Sequence, residues 1–221
     1  MSDDRLAHWT DTDTTVRLDV RSVRGLAHPL RLKMLGILRT DGPATSTTLA
    51  ARLGLNTGAT SYHLRQLASY GFIVEDDERG TGRERWWRAA HATTYFDRTA
   101  LSGDEAGEAF LRSIGQIYAE RIQRAADEYA TLPEAWREAS NLSDWVLRLT
   151  PDETRRLTGE LFDVLTRYRR HDPESSEPAP PGAVPVMVQI QAFPRGNALP
   201  DAEPVEADGS RPGAGAEELA P

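Results

Sequence analysis

The feature that most constrains this fold is a turn of only two residues, Leu55-Asn56, between two segments of helical pattern. Residues 45–54 and 57–71 each place apolar side chains on one face at helical spacing, and each ends in a glycine that suits a left-handed helix stop. Another helix is predicted upstream, over residues 22–40. So short a turn holds the two later helices at a steep angle, which predicts a helix-turn-helix.

A β-hairpin is predicted directly after these helices. Residues 72–76 and 83–89 have strand character, and the polar, glycine-containing link 77–82 separates them. Trp86 and Trp87 are neighbours on the second strand, so they point to opposite faces and one of them is expected in the core. Helix, turn, helix and hairpin in this order predict a winged helix-turn-helix, in which the helix after the turn enters the major groove of DNA.

The charge distribution agrees with a polyanion partner although the whole chain is acidic. The net charge is −8, from 26 basic and 34 acidic residues among 221. Residues 21–92 carry 11 basic and 6 acidic groups, a net charge of +5, so the other residues carry −13. Because salt screens charges over roughly 8–10 Å, the local field of the basic block decides what it attracts.

The side chains predicted to contact DNA lie on the outer face of the helix 57–71 and in the hairpin. The inner face of that helix carries Thr60, Leu64 and Leu67, whereas the outer face carries hydroxyls and one arginine without a carboxylate. Such a face can contact phosphates and base edges. The full predicted set is Thr57, Gly58, Ser61, Tyr62, Arg65, Arg79, Arg83 and Arg85.

Less specific interpretations of these residues stay open. Arg83 and Arg85 could belong to a solvated hairpin in which they pair with Asp76 or Glu78. His63, at the edge of the inner face, is interpreted as a structural histidine rather than a metal ligand.

Two motifs carry a resemblance to a known family. The first opens the helix 22–40, and the second runs through the predicted recognition helix and into the hairpin. Their matching residues are Ala27, His28, Pro29, Leu30, Arg31, Ser61, His63, Leu64, Leu67, Gly71, Phe72 and Ile73. Through them, residues 24–90 resemble the ArsR-type winged-helix transcriptional regulators.

The resemblance implies a dimeric regulator that binds double-stranded DNA, often a repressor released by a small effector. Many family members sense metals or arsenite through cysteine pairs, or through histidine and acidic ligands on a terminal helix. This chain has no cysteine, and its five histidines lie far apart without ligand spacing. We therefore expect no metal, no cofactor and a non-metal effector.

A long amphipathic helix is predicted over residues 103–131, and its apolar stripe must be buried against something. We interpret it as a dimerisation helix. The stripe residues predicted to dimerise are Phe110, Leu111, Ile114, Ile117, Tyr118 and Ile122. Packing within one chain, or an effector cavity lined by aromatic side chains that include Trp136 and Trp145, stays open as an alternative.

The rest of the chain predicts a small α/β module and a tail. Residues 142–150 alternate as in a strand, Pro151 opens a helix, and residues 184–193 form a second strand pattern. The strands could pair within one subunit or between two. The predicted organisation is an N-terminal segment over 1–20, the DNA-binding domain over 21–92, the dimerisation helix and linker over 93–139, the module over 140–194, which serves effector binding or support, and a disordered tail over 195–221.

Together these patterns predict a mainly α protein with small β elements, of the α+β class. No apolar run is long enough to span a membrane, and the acidic, polar first twenty residues are unlike a signal peptide, so we expect a cytoplasmic protein. Walker, G-x-G-x-x-G, G-x-S-x-G and H-E-x-x-H motifs are absent from the sequence, so we expect no enzyme. The predicted function is a homodimeric, sequence-specific repressor that binds a near-palindromic operator; the alternative is a winged-helix module that binds protein.

Overall fold

The computed structural model describes residues 15–79, 84–96 and 103–199. Its elements follow one another as a short strand, four helices interrupted by a second short strand, a hairpin with one further strand, and three more helices. Their bounds are β1 Thr15–Leu18, α1 Val23–Leu26, α2 Pro29–Asp41, β2 Ala44–Thr45, α3 Ser46–Leu53, α4 Thr57–Ser69, β3 Ile73–Glu75, β4 Trp86–Ala89, β5 Thr93–Phe96, α5 Glu105–Glu128, α6 Glu134–Ala139 and α7 Pro151–Leu165. Single 3-10 turns cover Tyr129–Thr131 and Gly196–Ala198.

Capping side chains define where α3 and α4 begin. Thr45 Oγ1 accepts a hydrogen bond from the Thr48 amide at 3.2 Å, and Asn56 Oδ1 accepts one from the Ala59 amide at 2.8 Å. These bonds satisfy amides that the first helical turn leaves without partners. Gly54 ends α3 in the left-handed conformation, with φ of 65°. The predicted two-residue turn therefore separates α3 from α4.

The helix predicted over 22–40 is in fact two helices. His28, between α1 and α2, has an extended backbone, with φ of −140° and ψ of 124°. The cause is Pro29, whose ring disfavours a helical conformation in the residue before it. Pro29 then occupies the first turn of α2, where its missing N–H costs no hydrogen bond.

Two small sheets complete the first domain. In one, β4 lies between β2 and β3 and pairs antiparallel with both, so the predicted hairpin is confirmed with shorter strands. In the other, β1 pairs in parallel with β5, Thr15 opposite Thr93. The sequence analysis missed β1, β2 and β5, because each is too short to show a period.

The core lies between these sheets and the helices. Its largest fully buried side chains are Leu26, Met34, Leu35, Leu38, Leu49, Leu64, Leu67, Phe72 and Ile73. Trp87 joins them whereas Trp86 is half-buried, as expected for neighbours on one strand.

Helix α5 packs against this core, so the stripe predicted to dimerise divides into two sets. Phe110 and Ile117 are buried within the monomer, and Ile114 packs against the same core. These three side chains therefore pack within the single chain, and the dimerisation predicted for the stripe stays a prediction. Leu111 and Ile122 are exposed, and Tyr118 is half-buried. The apolar stripe is therefore wide enough to pack one side against the core and to expose apolar side chains on its other side.

The C-terminal part forms the predicted helix but not the predicted strands. Helix α7 begins at Pro151 as expected, and Thr150 and Glu153 form a reciprocal capping box at its start. Within the described residues, neither 142–150 nor 184–193 forms a strand. An alternating pattern indicates which side chains would share one face of a strand. A strand forms only where a neighbouring segment can also pair with its backbone hydrogen-bonding groups.

The chain divides into two compact units, Met1–Gln189 and Ile190–Pro221. The second unit is described only as far as residue 199, and most of the predicted tail lies outside the described residues. No helix in the described part of the chain is long and apolar enough to cross a membrane.

The tightest approach in the core predicts a sensitive position at Gly25. A Cβ there would lie 2.6 Å from Tyr70 Cγ and 2.7 Å from Phe72 Cε2. We expect Gly25→Ala to lower the free energy of unfolding by about 1–3 kcal/mol, because two aromatic rings would have to move. Chemical denaturation measures this change. Gly115→Ala in α5 is the control, since no atom lies within 4 Å of that Cβ and alanine favours a helix. Equal stabilities of Gly25→Ala and the unaltered protein would contradict the expectation.

Candidate nucleic-acid interface

The inner face of α4 determines which of its side chains reach solvent. Thr60, Leu64 and Leu67 are buried, as predicted. On the other side, Thr57, Gly58, Tyr62 and Arg65 are exposed and Ser61 is half-buried. The structure thus brings the five predicted α4 residues onto one surface. We call this set, Thr57, Gly58, Ser61, Tyr62 and Arg65, the α4 surface.

The electrostatics of the α4 surface suit an anion. Helix α4 contains no acidic residue, and its first turn presents amide hydrogens at the positive end of the helix dipole. Arg65 makes no salt bridge within the described part of the chain, so its guanidinium can bind a phosphate or a guanine edge.

The hairpin arginines are held differently. Arg79 Nε lies 3.0 Å from Oδ2 of the buried Asp76, and Arg85 Nε lies 3.5 Å from Glu75 Oε1. Both guanidinium groups are at least half exposed, and exposed ion pairs contribute only about 0–1 kcal/mol, so phosphates can compete for these arginines. The predicted contact Arg83 lies outside the described residues. The solvated-hairpin interpretation expected Asp76 or Glu78 as the partner of Arg85, whereas the partner is Glu75, and Asp76 pairs with Arg79 instead.

A segment of the C-terminal linker lies against the base of the hairpin. Its contacts run along one path over the first domain. They are Arg170 Nη2 to Thr93 Oγ1 at 2.5 Å, His171 Nε2 to the Thr40 carbonyl at 2.7 Å, Pro173 beside Gly42, and Glu174 Oε1 to Arg79 Nη2 at 3.8 Å. The linker predicted over 171–185 therefore begins as a docked segment that places a carboxylate beside a predicted DNA contact.

Sequence reasoning missed a histidine cluster, His28 and His63, where α2 begins. The rings of His28 and His63 lie 4.6 Å apart, and Tyr62 contacts the edge of His63. Burial lowers the pKa of His63, and the positive charges of His28 and Arg31 lower it further. Burial also lowers the pKa of His28, whose Nδ1 accepts a hydrogen bond from the Leu30 amide. Both histidines belong to the ArsR-type motifs. They are 35 positions apart in the sequence, however, and nothing in that spacing indicated that their rings are in contact.

The described residues do not gather the groups needed for other kinds of site. No three His, Asp or Glu side chains among them are placed to hold a metal ion. The aromatic cavity considered for an effector is not formed among the described residues, since Trp145, one of its predicted lining residues, is 83% exposed.

A family match to known proteins covers the residues that form this surface. Residues 26–76 match a family described as a helix-turn-helix domain. No curated protein matches the chain. Among solved structures, it is similar to the homodimeric winged helix-turn-helix DNA-binding domain of a possible ArsR-family transcriptional regulator from Mycobacterium bovis. The identity is 24%, the match covers 58% of this chain and 90% of that one, and the TM-score is 0.29.

The fold of residues 15–79 and 84–96 and the geometry of the α4 surface define a winged helix-turn-helix, as predicted. The family match over residues 26–76 supports a DNA-binding transcription regulator, in which these residues form the helix-turn-helix domain.

The histidine cluster predicts a pH-dependent stability. The folded state lowers the pKa of His28 and His63 below the ordinary value of 6.5, so the unfolded state binds protons more tightly. The free energy of unfolding that depends on these histidines is therefore highest above pH 6.5. It decreases as the pH falls through the window below that value, because the unfolded state takes up protons there. Denaturant unfolding between about pH 7.5 and 5.5 measures the loss.

The matched variant is His28→Asn, because asparagine keeps a helix-capping oxygen and does not titrate. We expect its free energy of unfolding to depend less steeply on pH over this window. The same slope in both proteins would show that His28 does not contribute.

Proposed function

We propose that the protein is a homodimeric, sequence-specific repressor of the ArsR type that binds double-stranded DNA and responds to a non-metal effector. Residues 21–92 are the proposed DNA-binding domain, and α5 the proposed dimerisation helix. The observation that carries the proposal is the α4 surface, where hydroxyl, aromatic and guanidinium groups share one exposed face without a carboxylate. The ArsR-type motif supports the family assignment.

In the proposed complex, each α4 lies in the major groove and the hairpin arginines contact the backbone. Tyr62, Arg65 and Ser61 are the proposed base-reading residues, and Thr57, Arg79, Arg83 and Arg85 position the domain on phosphates. A two-fold dimer places its recognition helices about 34 Å apart, so the operator is near-palindromic.

The proposed dimer contact uses the outward set of the α5 stripe. Leu111, Gly115, Tyr118, Ile122, Ala125 and Tyr129 alternate in steps of four and three residues. That spacing forms the seam of paired helices. Leu111, Ile122 and Tyr129 are exposed in the monomer, which supports a partner on this side.

Selection of genomic fragments bound by the full-length protein, followed by sequencing, tests the proposal as a whole. At about 0.15 M salt, we expect enrichment of a short inverted repeat near promoters. A folded protein that enriches no sequence would favour the winged-helix module that binds protein, a role that the ion pairs of Arg79 and Arg85 would also suit.

Arg65→Ala tests base reading by the α4 surface. If Arg65 binds a guanine, the substitution should cost about 1–3 kcal/mol of affinity for the selected operator and much less for random DNA. Fluorescence anisotropy on both duplexes measures the difference. Arg112→Ala is the control, because Arg112 is an exposed arginine on α5 that pairs with Glu108. Equal losses on both duplexes would reduce Arg65 to a phosphate contact.

Leu111→Asp combined with Ile122→Asp tests the proposed dimer contact. Burying a carboxylate against an apolar partner is unfavourable, so we expect the dimer dissociation constant to rise about tenfold or more. Sedimentation over a range of concentrations measures it. Gln123→Asp, an exposed position on another face of α5, is the control and should leave the dissociation constant unchanged. An unchanged constant in the double variant would exclude this seam.

A further inference from the structure

Residues 141–150 form an unusual surface segment. They run from Asn141 to Thr150 without a helix, turn or bend, and all of them are exposed. Trp145 is 83% exposed and Val146 is 76% exposed. Among the described residues, 141–149 make no backbone–backbone hydrogen bond. The segment therefore exposes apolar side chains and unpaired backbone groups together, as an edge strand without its neighbour does.

The sequence of the segment is complementary to itself. If two copies pair antiparallel about Val146, Asp144 of each copy lies opposite Arg148 of the other, and Trp145 lies opposite Leu147. The two charged pairs then share one face with Val146. Trp145 and Leu147 share the opposite face with Leu149, so this register keeps both charged pairs off the face that carries Trp145.

The neighbouring helix can cover the apolar face of such a ribbon. Helix α7 follows directly at Pro151 and is amphipathic, yet none of its residues is buried in the monomer. Its exposed apolar side chains include Leu161 and Val164. A two-stranded ribbon alone is marginally stable in water, and two α7 helices, one from each copy, would supply the missing layer.

The segment also adjoins the proposed dimer seam. Leu142 lines one shallow hollow together with Ala126 and Tyr129 of the α5 region. A partner seated on the outward side of α5 is thus next to the start of the segment.

We infer that residues 142–150 form an intersubunit antiparallel strand pair, centred on Val146, with a second copy of this chain. The inference deepens the proposed function, because it rests on the homodimer and adds a second contact to it. It also explains why the predicted strand is not formed in a single chain. Residues 184–189, which belong to the other predicted strand, are less suited to such pairing between subunits, because Pro185 has no backbone N–H to donate.

Cysteine cross-linking tests the register directly, because the natural chain has no cysteine. In full-length Val146→Cys, the two introduced thiols would lie opposite each other with Cβ atoms about 4.5–5.5 Å apart. We expect oxidation or a short thiol cross-linker to give a covalent dimer. Val20→Cys, also exposed, is the control for random collision. Asp144→Cys and Arg148→Cys should cross-link when mixed and should give little covalent dimer when each is oxidised alone.

A charge exchange identifies the partner as a second copy. In the Val146→Cys background, Asp144→Arg places two arginines opposite each other and should slow cross-linking about tenfold. Adding Arg148→Asp makes the opposing charges opposite again if the facing strand belongs to a second copy with the same exchange. The cross-linking rate should then return to that of Val146→Cys alone. Circular dichroism confirms that the variants are folded.

Cross-linking of Val146→Cys no faster than that of Val20→Cys would overturn the inference, and so would failure of the charge exchange to restore the rate. Operator binding by the unaltered protein separates this result from failure of the proposed function. If binding and dimer mass persist without the cross-link, only the strand pairing is wrong. If the unaltered protein is monomeric and selects no operator, the homodimer itself is wrong.

Discussion

The packing of α4 onto the core is the interaction on which the rest of the DNA-binding domain depends. Leu64 and Leu67 are completely buried, and the Thr60 hydroxyl donates to the Asn56 carbonyl at 3.1 Å. Burial of each leucine contributes about 1.5–3 kcal/mol, so a rotation of α4 that exposed both would be strongly unfavourable. Tyr62 and Arg65 therefore point outward as a consequence of packing, before any DNA is bound.

Arginines serve two different purposes in this fold. Arg39 is largely enclosed, donates to the His91 carbonyl at 2.8 Å and to Thr94 Oγ1 at 2.9 Å, and so ties α2 to β5. Burial, with the positive charge of Arg170, lowers the pKa of Arg39 to about 10. Arg65, Arg79 and Arg85 lie in solvent and keep their guanidinium groups accessible. A net charge of +5 over residues 21–92 does not distinguish the two groups; burial does.

Local signals predicted most of the first domain. The cap at Asn56, the left-handed Gly54 and the spacing of Leu64 and Leu67 act within a few residues of one another, so sequence alone located α3, α4 and the face of α4 that points outward. Long-range features were not predictable in this way. The contact between His28 and His63 and the pairing of β1 with β5 depend on tertiary packing that no periodicity records. For α5, the spacing revealed an apolar stripe, but only the structure showed that Phe110 and Ile117 belong to the core and Leu111 and Ile122 to the surface.

The parallel pairing of β1 with β5 has a consequence for the order of folding. It joins Thr15 to Thr93, so the whole helix-turn-helix and hairpin lie inside the loop that this pair closes. The contacts of α3 with α4 close much shorter loops, and short loops form first. The helices can therefore assemble before the two strands meet, and the strands can separate while the helices remain packed. In the native protein, amide hydrogens of β1 and β5 will exchange with solvent sooner than those at the centre of α4, because opening this pair leaves the helical core intact.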